Sequence, residues 1–150
     1  MTTKKFQNAT ITPMLETITE LKKHTIPVVS TFLKIEKTLK EQLAKTEEKK
    51  QAIVEKHAVR TETGDWKLKE GVTEIKTIYD IEYVNLELFR QEFEAFLLDF
   101  FEISYEPYNP ETMVWHTEMK EKVTIDSILS TTLNGNLYAF VSYFSTENAE

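Results

Sequence analysis

The 150-residue chain contains no cysteine. Disulfides, thiolate metal sites and cysteine nucleophiles are therefore excluded, and the composition fits a reducing compartment. Glycine occurs three times and proline four times, so sharp turns are few and long elements are expected. The glycines are isolated from one another, which excludes a phosphate-cradling loop and a dinucleotide-binding fingerprint. No window approaches the roughly 20 apolar residues of a transmembrane span. The opening MTTKKFQNATITP has no apolar stretch of signal-peptide length. Together these absences predict a cytoplasmic chain that makes no membrane contact.

Apolar residues make up 41% of the chain and aromatics 11%, enough to bury a core and too much for a disordered segment. The length suits one ordinary domain spanning residues 1–150, with residues 1–10 as a loose leader and residues 146–150 as a frayed tail. The formal net charge of −7 is unevenly distributed. Residues 1–60 carry 12 Lys and Arg against 7 acids, a balance of +5, whereas residues 61–150 carry 6 against 18, a balance of −12. Between Asp80 and Glu111 there are nine acids and a single cation, Arg90. Such a stretch repels phosphate backbones and attracts basic protein surfaces.

The run from Pro27 to Val59 has no internal Gly or Pro and is dominated after Leu33 by strong helix formers. It predicts one long charged helix. Val28, Val29, Phe32, Leu33, Ile35 and Leu39 give it an apolar first half, Ala44 to Gln51 is polar all round, and Ile53, Val54 and Ala58 return at the far end. Glu36, Thr46 and Lys50 interrupt the seven-residue apolar repeats, so a coiled-coil seam is not supported. The helix is expected to act as a spine, its far end packing on the segment of Trp66 and Ile75.

Before the spine, Thr12-Pro13 predicts a helix start, and Leu15, Ile18 and Leu21 an apolar stripe. After it, Trp66, Leu68, Val72 and Ile75 around Glu70-Gly71 suggest two short strands and a tight turn. Thr77 to Val84 is β-branched and aromatic and predicts a strand. Asn85 is a candidate N-cap for a helix whose face is Leu86, Phe89, Phe93, Phe96, Leu97 and Phe100. Strands are expected over Phe101–Tyr105 and Met113–His116. Helices are expected over Thr124–Leu133, capped by Asp126, and around Leu137, Phe140, Val141 and Phe144. The predicted fold class is α+β: one long charged helix and shorter helices on a small, mostly antiparallel sheet.

Chemical motifs are sparse. His24, His57 and His116 lack metal-ligand spacing, and no His-x-x-x-His or Gly-x-Ser-x-Gly occurs. Glu87, Glu92, Glu94 and Asp99 are read as a solvated helix face. Phe89, Phe93, Phe96, Phe100 and Trp115 are read as core. No catalytic residue, metal ligand or cofactor is assigned. The candidate partner-binding set is Asp80, Glu82, Glu87, Glu92, Glu94, Asp99, Glu102, Tyr105, Glu106 and Tyr108, because exposed tyrosines among carboxylates make good anchors for a protein. Tyr79, Tyr83 and Trp66 share that character. The lysines of the long helix interleave with Glu36, Glu41, Glu47, Glu48 and Glu55, which argues against a nucleic-acid stripe.

The stretch VVSTFLKIEKTLKEQLAKTEEKKQAIVEKHAVRTETGDW, with FRQEFEAFLLDFFEIS and LNGNLYAFVSYF after it, resembles a family of small uncharacterised proteins encoded by phages and prophages of Gram-positive bacteria. The shared features are a Lys/Glu-rich long helix stopping at Lys56-His57-Ala58, a Thr63-Gly64-Asp65 turn, a Glu-rich helix and a closing helix. The Val28–Phe32 start is more apolar than in that family. The resemblance implies phage origin and a host-cell cytoplasmic setting, and brings no catalytic residue. The combined expectation is a non-enzymatic accessory protein that binds a host or phage protein. In its sharpest form this is an anti-CRISPR-like inhibitor of a host defence nuclease, with the acids in a basic nucleic-acid groove. The alternative is a phage structural or assembly protein that self-associates through the long helix.

Overall fold

The computed structural model describes residues 1–149. Among them are five α-helices and two antiparallel sheets of two strands each, an α+β arrangement. The order is β1 (Thr2–Gln7), α1 (Ile11–Leu21), α2 (Val29–His57), α3 (Leu86–Leu98), β2 (Phe100–Tyr105), β3 (Met113–His116), β4 (Glu121–Thr124), α4 (Ile125–Thr132) and α5 (Gly135–Ser142). No helix is long and apolar enough to cross a membrane among the described residues.

The 29-residue α2 is roughly 44 Å long and serves two hydrophobic cores. Its first half buries Phe32, Ile35 and Leu39 against Ile18 and Leu21 of α1, Ile103 of β2, Leu129 of α4, and Val141 and Phe144. Its far end buries Val54 against Ile81, Tyr83, Phe89 and Phe93. The polar middle lies between the two, and there Thr46 is buried with its hydroxyl donating to the Leu43 carbonyl at 2.8 Å. Trp66 packs on the second core as expected, but Ile75 is exposed.

Glu36, which breaks the apolar pattern of α2, is also buried. Lys22 at the end of α1 reaches its carboxylate at 2.8 Å and Lys40 at 3.6 Å. The Lys22 hydrogen bond is the main reason its carboxyl is held below the usual range. A buried carboxylate with two cations is satisfied, and here it locks the α1–α2 corner.

Residues 1–10 are not a loose leader. Thr2–Gln7 pairs antiparallel with Phe100–Tyr105, from Thr2 opposite Tyr105 to Gln7 opposite Phe100. Phe6 stacks on Phe144 at 6.2 Å, and the Lys4 ammonium lies 3.8 Å from the Tyr143 ring centre. Nor is the tail frayed where it is described. Thr146–Asn148 forms a 3₁₀ turn, the Thr146 N–H donates to the Tyr108 carbonyl at 2.8 Å, and Lys4 bonds the Asn148 carbonyl at 2.6 Å. Glu150 lies outside the described residues.

The segment between α2 and α3 also departs from expectation. Gly71 does turn with positive φ, but among the described residues no strand pair flanks it. The backbone of Trp66–Lys69 is used elsewhere: Lys67 N–H donates to Val59 O, Lys69 N–H to Asp80 O and Glu82 N–H to Lys67 O. Thr77–Val84 is a 3₁₀ turn over Ile78–Asp80 followed by extended residues, not one strand. A reciprocal cap between Thr77 and Asp80 favours the turn over the β-propensity of its side chains. The first helix starts at Ile11, one residue ahead of Thr12. The cap of α4 is Thr124, whose hydroxyl accepts from Ser127 N–H at 3.1 Å. Asp126 instead accepts from the Tyr138 hydroxyl. Strand β4, which pairs with β3, was not expected.

Candidate protein-docking face

Helix α3 carries the centre of the acidic stretch. Asn85 caps it as expected, its side-chain oxygen accepting from Leu88 N–H at 3.2 Å. Phe89 and Phe93 face inward and are buried, Phe89 stacking flat on Tyr83 at 3.8 Å between centroids. Leu86, Phe96 and Leu97 complete the inward stripe. Because these positions consume one face, Glu87, Leu88, Arg90, Gln91, Glu94, Ala95 and Leu98 are left facing solvent.

The outward face is not purely acidic. Leu88 is 53% exposed and Leu98 57%, while Val84, just before the helix, is 79% exposed and Phe100, just after it, 61%. Leu88 and Leu98 are ten residues apart, about 15 Å along the axis. Leu88 and Leu98, both large apolar side chains on the outward face of one helix, mark an interaction surface better than the same residues scattered singly. Phe100 is a correction: the helix stops at Leu98, and Phe100 opens β2 on its solvent side with Glu102 and Ser104. Trp115 is a second correction, exposed on the β3–β4 hairpin instead of lying in the core.

The predicted partner acids divide into three groups. Asp80 is structural: its carboxylate accepts from Lys76 and Thr77 N–H at 2.8 and 2.9 Å, and these bonds hold its pKa down. Glu82 pairs with Lys67 at 3.3 Å, and Glu92 is gripped by His57 and by Lys56 at 3.1 Å. The His57 and Lys56 hydrogen bonds lower the Glu92 carboxyl. His57 in turn packs edge-on against Phe89, so this grip joins the end of α2 to α3. Glu87 lies 4.0 Å from Arg90, Asp99 accepts from Phe100 N–H at 2.9 Å, and Glu94, Glu102 and Glu106 are exposed without an ion pair among the described residues.

Tyr105 and Tyr108 are not exposed anchors. Both belong to the first core, and burial pushes both phenols above their usual range. Tyr83 is likewise buried, its phenol pushed up to about 12 by desolvation. On strand β2 the burial alternates, with Phe101, Ile103 and Tyr105 inward, which is the period-2 signal that places Tyr105 inside. Leu88 and Leu98 were missed because each sits beside the stronger phenylalanine stripe. Their mutual spacing off that stripe was the available signal.

No group of three or more His, Asp or Glu is placed to hold a metal among the described residues. A cavity of about 500 Å³ lies between the α1–α2 turn and the β3–β4 hairpin, lined by Ile26, Pro27, Trp115, His116 and Glu118 among others. None of the predicted partner residues lines it.

No family model, curated protein or solved structure matches the chain. The resemblance to phage-encoded proteins thus rests on the residue pattern alone.

Proposed function

We propose that this protein is a non-enzymatic accessory factor that acts by binding a basic protein, with α3 as the docking element. The observation that carries this reading is the outward face of α3, where exposed Leu88 and Leu98 lie among Glu87, Glu94 and Asp99. Buried apolar contact supplies affinity, and surrounding carboxylates supply steering and selection of a cationic surface. Nucleic-acid-binding proteins present such surfaces, so a host nuclease whose basic groove is blocked is the sharpest form of the proposal. The phage resemblance of the long helix and closing segment favours a host-cell cytoplasmic setting.

Self-association through α2 is the alternative. It draws less support, because the apolar positions Phe32, Ile35, Leu39 and Val54 already serve the two cores. Affinity purification from host lysate with two baits tests the proposal: the wild type, and a chain carrying Glu87→Lys and Glu94→Lys. A basic protein retained in stoichiometric amount by the wild type and lost from the variant is expected. The same proteins on both baits would refute docking through this face.

A further inference from the structure

We infer that the element docking on α3 is a basic amphipathic helix. This rests on the reading of the α3 face as a docking surface and specifies what the surface accepts. Along α3, Leu88, Gln91, Ala95 and Leu98 follow one another at spacings of three, four and three residues. All four are exposed. That alternation is the seam of a coiled coil, with Leu88 and Ala95 at a and Gln91 and Leu98 at d. Three of the four are apolar although none of them contributes to either core.

The flanks identify the partner. Positions g are Glu87 and Glu94 and the e position is Glu92, so every flanking residue within the helical seam is acidic, and Asp99 follows at the C-cap. A second copy of α3 would set carboxylate against carboxylate in either orientation, which disfavours self-pairing. A helix with lysine or arginine at its own e and g positions would meet an acid at each place. Ala95 leaves room for the two backbones to approach near the middle of the contact. Glu92 is already held by Lys56 and His57, so Glu87 and Glu94 do most of the selecting. The Arg90 contact to Glu87, at 4.0 Å between exposed side chains, is too weak to oppose this.

Titration calorimetry on the full chain tests the inference with two synthetic peptides of identical composition. One repeats a heptad with leucine at a and d and lysine at e and g, and the other is its scramble with no apolar face. The patterned peptide should bind, more weakly as salt rises, and the scramble at least about tenfold more weakly than the pattern. Leu88→Gln with Leu98→Gln should weaken the patterned peptide by about tenfold or more. Both leucines are exposed, and far-UV circular dichroism verifies that the variant folds. Glu87→Lys with Glu94→Lys should abolish that binding and transfer preference to a glutamate-flanked heptad peptide. Equal binding of both lysine peptides overturns the inference and leaves an acidic face that reads charge alone. Binding of neither overturns the inference and the docking face together. Unchanged affinity in either double variant also overturns it.

Discussion

Replacing Phe89 by alanine separates the two cores energetically. Phe89 is fully buried, stacks on Tyr83 at 3.8 Å and on Phe93 at 5.8 Å, and supports the His57 ring edge-on at 6.0 Å. Among the described residues the second core has five buried members, Val54, Ile81, Tyr83, Phe89 and Phe93, with Ile53, Trp66, Leu68 and Phe96 among the partly buried side chains packed against them. Truncation of a buried phenylalanine costs about 3–5 kcal/mol. For a chain of this size that corresponds to a fall in Tm of about 6–20 °C. Hydrogen exchange resolved along the chain should find the loss concentrated at the end of α2, the 58–84 segment and α3. The amides of α1, β2 and α5 should keep their protection, because the first core retains Phe32, Ile103 and Phe144. A destabilisation below about 1 kcal/mol, or protection lost evenly over all helices, would refute the division into two cores.

Other consequences follow from the same contacts. Glu36→Ala should cost about 1–3 kcal/mol in urea denaturation, because Lys22 and Lys40 lose their shared carboxylate at the α1–α2 corner. The pH dependence has a definite sign. With its folded pKa held below the ordinary value of 4.5, Glu36 contributes stability above that pH and loses it as pH falls through the folded value. Wild type should therefore lose stability on acidification more steeply than Glu36→Gln, and parallel curves would contradict the pairing. Deleting residues 1–7 should leave the edge of β2 unpaired and give an aggregating or unfolded chain by light scattering, where removal of a loose leader would be silent. Trp115→Ala should change unfolding free energy by no more than about 0.5 kcal/mol, since the indole is on the surface.

The helical half of the fold was legible because its signals are local. The run without Gly or Pro gave α2 to within two residues at each end, and Asn85 with the Phe89–Phe93–Phe96 stripe gave α3. What was not legible depends on partners far away in the chain. β1 has one apolar residue in six, and its order comes from β2 nearly a hundred residues later. Trp66–Lys69 has the composition of a hairpin arm, yet its backbone pairs with residues on both sides of the anticipated turn partner. Tyr105 and Tyr108 sit among carboxylates in sequence, but Tyr105 alternates into the core on β2 and Tyr108, bridged to Ser145, is buried beside it. The acids of the docking face could be named from charge alone, whereas its exposed leucines emerged only when the buried face of α3 was fixed.

The central claim is that the outward face of α3 is where this protein meets its partner. Hydrogen-exchange footprinting tests it most directly, comparing the free chain with its complex with the basic protein that the wild-type bait retains. New protection confined to residues 84–100, with α2 and the β3–β4 hairpin unchanged, is the predicted result. Protection centred on the hairpin around Trp115, or along the polar middle of α2, with residues 84–100 unaltered, would contradict it.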